Sequence, residues 1–319
     1  TSGSGEGKGV IVDRTKMIME EVRISNVAMG VEVTGGILAM KGGEIGFTGD
    51  YGISLKEGGA AFLGKVTIKG NGTGQEGIKL NGGMIDLYKT NIREVHKGMT
   101  ITEGIVRMFG GEIGFKGEHG ISLTKSTAAL IGVTIEGNGI GQEGIKLSEG
   151  MVDLFGTNIR EVQRGKFKGD YAVYLGKGIA ALKDVRITGP SNKGTGVYVQ
   201  SGVGAVMMKE VRISEVRTGV EVISGKLIMH KGSVEFKGEY GISLIRGDAA
   251  LKDVNITGQG HETEVAVKTI MGTVAIKGGE MSNVGTGVEV KSEGAVWLVD
   301  TKLRDVYKGV SAEDGVVHM

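Results

Sequence analysis

Gly30-Val-Glu-Val33, Leu38-Ala-Met40 and Ile45-Gly-Phe47 are three short stretches in which apolar residues alternate with small or polar ones. Alternation with a period of two marks a half-buried strand rather than a helix. The glycine-led stretch returns along the whole chain, at Gly9, Gly52, Gly77, Gly98, Gly120, Gly144, Ala172, Gly196, Gly219, Gly241, Glu264, Gly287 and Gly309, in steps of 21 to 28 residues. A period of that size belongs to a solenoid, whose units bury their apolar faces only against their neighbours. Strands of three or four residues cannot pair within their own repeat, so each pairs with its equivalent in the next. The expected fold is all-β: a right-handed parallel β-helix of three sheets and about 13 coils, rising about 4.8 Å per turn, as one domain over residues 1–319.

Composition agrees. Glycine is abundant at 60 residues and proline occurs once, while hydrophobic residues at 39% suffice for a core. The recurring glycines read as corners that need positive φ or lack room for a side chain. The balance of 38 basic and 37 acidic residues gives a net charge of +1 and argues against a nucleic-acid or anionic-membrane partner. With no cysteine, disulfides, thiolate metal sites and cysteine nucleophiles are excluded. No signal peptide heads the chain, and Thr1-Ser-Gly-Ser-Gly-Glu-Gly7 reads as a cut point, so the sequence is expected to be a piece of a longer protein.

A longer echo overlies the repeat. Phe47-Thr-Gly-Asp-Tyr-Gly-Ile-Ser-Leu55 matches Phe115-Lys-Gly-Glu-His-Gly-Ile-Ser-Leu123 and Phe236-Lys-Gly-Glu-Tyr-Gly-Ile-Ser-Leu244. Duplication of about three turns at once accounts for it, including the acid–aromatic pairs Asp50-Tyr51, Glu118-His119 and Glu239-Tyr240.

Alternation assigns side chains to the core or to one of three outer faces. Outer positions of the first strand are polar, among them Glu32, Ser54, Lys79, Thr100, Ser122, Lys146, Glu221, Ser243 and Glu289. Outer positions of the second strand are mostly apolar, and Phe62, Leu130, Met207, Ile228 and the lone Trp297 are the candidate receptor-binding residues there. Long turns, including Arg164-Gly-Lys-Phe-Lys-Gly-Asp170, form a second candidate edge. Arg246-Gly247-Asp248 is an integrin-type tripeptide, a candidate adhesion motif if held on a protruding loop.

No catalytic group is picked out. Asp86, Arg107 and Asp153 share the second face, but the two aspartates lie three turns apart, about 14 Å, too far for paired glycosidase carboxylates. The five histidines show no ligand spacing, so neither a metal nor another cofactor is expected. The chain is read as not an enzyme.

The run Val211-Arg-Ile-Ser-Glu-Val-Arg-Thr-Gly-Val-Glu-Val222, with Ile228-Met229 and Gly278-Gly279-Glu280, resembles the passenger domains of bacterial autotransporters, closest to the Bartonella angiogenic factor group. The resemblance implies a secreted or surface-exposed virulence factor, joined in its full length to an outer-membrane barrel. It also implies binding to a host cell-surface receptor of the vascular endothelial growth factor type, with a proangiogenic signal. The alternatives from other classes are an adhesin for host matrix or integrin and a carbohydrate-active β-helix enzyme, a polysaccharide lyase or hydrolase.

Overall fold

In a computed structural model describing residues 7–71, 75–137, 143–160, 171–190, 193–200 and 204–319, each turn gives one strand to each of three parallel sheets. The protein is a parallel β-solenoid of about 13 turns, and α-helix is absent from the described residues. The described residues pack as two compact units, Thr1–Asp153 and Leu154–Met319. The charged turn Arg164–Asp170 lies outside the described residues.

In the first unit, the first sheet pairs Met29–Thr34 with Tyr51–Lys56, in the register Val31 to Ile53, Glu32 to Ser54 and Val33 to Leu55. The second pairs Ile37–Lys41 with Ala60–Gly64, and the third pairs Glu44–Phe47 with Thr67–Lys69. Later turns run their strands together around the corners, as in Glu76–Val95, which contributes to all three sheets. The second unit repeats the scheme, with Thr195–Val199 paired to Thr218–Val222 in its first sheet and Ala205–Val216 to Lys226–Phe236 in its second and third.

Alternation sends Val, Ile, Leu and Met inward, where most are fully buried. The recurring glycine is required by space, not by φ. A Cβ on Gly98 would lie 2.2 Å from the Gly120 carbonyl oxygen on the next turn and 2.4 Å from Ile113 Cγ2. Positive φ falls elsewhere, often on charged residues such as Lys89, Glu94, Lys231 and Glu215. The Phe–Gly echo is also a packing device: the buried Phe115 ring sits over Gly120, 3.1 Å from where a Cβ would be, and Phe47 over Gly52 and Phe236 over Gly241 do the same. At the return expected at Glu264 the ladder pairs Tyr240 with Val265, so Ala266 takes the glycine position.

Candidate functional site

The second sheet presents the expected apolar residues outward, with one correction. Phe62, Met207, Ile228 and Trp297 are 41%, 44%, 38% and 42% exposed, and Trp297 stacks on His318 with ring centroids 5.2 Å apart. Leu130 is fully buried at 0%. Its strand pairs Arg107 with Ala129 and Met108 with Leu130, so Ala129 holds the outer position and Leu130 belongs to the core. Ile18 holds the middle position one turn before Ala39, and because each second-sheet strand has outward positions on both sides of the middle one, Ile37, Tyr88, Ile105, Phe109 and Ile131 are exposed too.

Arg246-Gly247-Asp248 sits inside the strand Tyr240–Thr257, not on a protruding loop. Arg246 N–H donates to Ile223 O and Asp248 N–H to Gly225 O, while the three residues pair with Met271, Gly272 and Thr273 on the other side. A Cβ on Gly247 would lie 2.3 Å from Gly225 O. Laced between two neighbouring turns, the tripeptide lacks the projection an integrin ligand needs, which corrects the adhesion-motif expectation.

The outer face of the first sheet is where polar groups are held in place. In three turns the residue before the recurring glycine leans over the polar position of an adjacent turn. Tyr51, only 7% exposed, donates to the Glu32 carboxylate at 2.5 Å. His119, 6% exposed, has Nε2 3.1 Å from Thr100 Oγ1. Lys268 donates to the Tyr240 hydroxyl at 3.0 Å and lies over that ring. Five of the seven tyrosines (51, 171, 174, 198 and 240) stand on first-sheet strands. Alternation alone marks these rows as polar and open to water; the acid–aromatic echo is the sequence signal of their cover, and duplication also accounts for it.

The electrostatics follow from this half-burial. Glu32 accepts from Tyr51, from Lys8 at 2.9 Å and from Lys56 at 3.1 Å, and its pKa is held down at about 2, with the Tyr51 hydrogen bond the main cause. Burial raises the Tyr51 phenol, and the bond to Glu32 raises it further. Beside this pair Ser54 is fully buried, and its Oγ has no hydrogen-bond partner among the described residues. Burial lowers His119 to about 4, with the charge of Lys97 next in size and that of Lys146 also contributing. Lys97 pairs with Glu118 at 3.2 Å, and Lys146 with the buried Glu143 at 3.3 Å. In the second unit Tyr171, Tyr174 and Tyr198 stack, with the Tyr171 and Tyr198 centroids 4.3 Å apart, and burial lifts Tyr171 to about 12. Among the described residues no group of three His, Asp or Glu side chains is placed to hold a metal ion.

No family model matches the chain, and no curated protein does. Among solved structures it is similar to the A-module of the mannuronan C-5 epimerase AlgE4 of Azotobacter vinelandii, at 14% identity and a TM-score of 0.42, covering 88% of each chain. The expectation that the chain is not an enzyme is corrected on this finding, since the similar chain is a module of an enzyme. A likeness this distant assigns no activity here.

Proposed function

We propose that the protein is a carbohydrate-active β-helix that takes an acidic polysaccharide across the outer face of the first sheet in the Thr1–Asp153 unit, with His119 at the chemical centre. The observation that carries this reading is the placement of His119 on that face, its Nε2 3.1 Å from Thr100 Oγ1, where burial and the charges of Lys97 and Lys146 lower its pKa to about 4. At neutral pH such an imidazole is unprotonated but only weakly basic, and the negative charge of a bound acidic sugar beside it would raise its pKa and strengthen it as a proton acceptor. Lys97 and Lys146 rest against Glu118 and Glu143, and by turning from those glutamates to a sugar carboxylate they would neutralise it, which is what proton removal beside that carboxylate requires. Tyrosine, lysine, glutamate, serine and threonine along the row supply the apolar ring surface and hydrogen-bonding groups that a sugar chain offers partners for.

Incubation with a panel of uronate-containing polysaccharides tests it, with new unsaturated ends or altered sugar configuration followed by proton NMR. Turnover of one polymer, abolished in His119→Ala with unchanged circular dichroism, is expected. No chemical change in any acidic polymer would remove the reading.

A further inference from the structure

The outer face of the second sheet in the Thr1–Asp153 unit reads as a grid, because the register fixes which side chains stand in each column. Along successive turns one column runs Ala60, Met84, Ile105, Thr127; the middle one Phe62, Asp86, Arg107, Ala129; the third Gly64, Tyr88, Phe109, Ile131. Phe62, Tyr88, Ile105, Phe109 and Ile131 are all exposed. At the centre Arg107 grips Asp86 with two hydrogen bonds, 2.7 and 2.8 Å long, and no other charged residue occupies these three columns, while the Lys89 ammonium lies over the edge of the grid, 5.5 Å from the Tyr88 ring centroid.

This grid is complementary to itself. Consider an axis along the strand direction, passing between the turns of residues 84–88 and 105–109. A half-turn about it keeps each column facing the same column and reverses the order of the turns. Asp86 then faces Arg107 of the second copy, and Arg107 faces its Asp86, so two ion pairs become a square of alternating charge. Met84 meets Ile105, and Tyr88 meets Phe109. One turn further out the large residues meet small ones: Phe62 faces Ala129, and Ile131 faces Gly64. The strands of the two sheets stay aligned, the arrangement in which sheets pack face to face about 10 Å apart.

We infer that two copies of the chain associate through this face as a closed, isologous dimer. The match of both charge and size about a single axis argues for a second copy over an unrelated partner, whose surface would have no reason to follow this register. The dimer is independent of the carbohydrate reading, which concerns the first sheet.

Analytical ultracentrifugation of the full chain across the micromolar range tests the inference. The wild type is expected as a dimer. Ala129→Glu places a carboxylate at an outward position beside Arg107, so the fold is retained, but it drives a charge against Phe62 of the second copy. It should raise the dissociation constant at least about tenfold. Asp86→Arg and Arg107→Asp alone should do the same by placing like charges in the square, and D86R/R107D together should restore the dimer. A wild type that stays monomeric throughout would overturn the inference. So would a dimer that Ala129→Glu leaves equally tight with native circular dichroism.

Discussion

Tyr51 donates its phenolic hydrogen, at 2.5 Å, to the carboxylate of Glu32 on the preceding turn, where Lys8 and Lys56 also converge. This contact ties the start of one turn to the strand of the turn before it; it is the main cause of the depressed Glu32 ionisation and adds to the effect of burial on Tyr51.

Tyr51→Phe should therefore raise the Glu32 pKa from about 2 toward its ordinary 4.5. A carboxylate with a depressed folded pKa contributes stability that is present above the unfolded pKa and lost as pH falls through the folded one. The melting temperature of Tyr51→Phe should thus lie below wild type at neutral pH, and the gap should close between about pH 4.5 and about pH 2. Thermal melts at a series of pH values, with NMR titration of the Glu32 carboxyl, measure both. A gap that persists unchanged below pH 2 would assign the loss to packing instead.

His119 gives a second pH signature. Its folded pKa, lowered from 6.5 to about 4 by burial, means that the unfolded chain binds more protons between those values. Stability rises with pH through that window and is progressively lost as pH falls from 6.5 toward 4. His119→Gln should flatten the melting-temperature profile across this interval while leaving the slope below pH 4, where carboxylates titrate, in place.

Close approach at the recurring glycine makes a sharper test of the coil. Gly98→Ala puts a Cβ against backbone of the next turn, which cannot swing aside, and should cost about 1–3 kcal/mol or more. Gly46→Ala meets its nearest atom at 3.4 Å and should stay within about 0.5 kcal/mol of wild type. Chemical denaturation of the two variants compares them directly.

Removal of the ring that covers a glycine should be costlier. Phe115 is fully buried over Gly120, so Phe115→Ala leaves a cavity bounded by a residue with no side chain to fill it. A loss of about 3–5 kcal/mol in unfolding free energy is expected.

Much of this architecture is written in the alternation itself. Val31, Val33, Leu38, Met40, Ile45 and Phe47 are all buried, as the period-two pattern of their turn requires. What alternation could not give was the cover over the first-sheet row. Ser54 and Glu32 look like ordinary outward positions, and only the side chains of adjacent turns, Tyr51 above all, take them out of water. The imidazole of His119 was invisible as a site for the same reason: its perturbation comes from groups about 20 residues away in sequence, brought alongside by the ladder. Parity also fails where a strand is apolar on both sides. Ala128-Ala129-Leu130-Ile131 offers no polar residue to mark the outside, so a reading one residue out of step exchanges the two faces, although the ladder itself runs unshifted from Met99 opposite Ile121 to Phe109 opposite Ile131.

That exchange can be measured on two residues that the sequence pattern assigns to one surface. Leu130 pairs with Met108 in the core and is fully buried, so Leu130→Ala should cost about 2–5 kcal/mol, the range for a large aliphatic side chain removed from a packed interior. Met207 pairs with Ala181 and Ile228 on the outer side of its sheet, and at 44% exposed its truncation to alanine should change stability by about 0.5 kcal/mol or less. Equilibrium unfolding of both variants separates the registers. Equal, small losses would return Leu130 to the surface and shift the strand 127–131 by one residue, and with it Ala129 and Ile131.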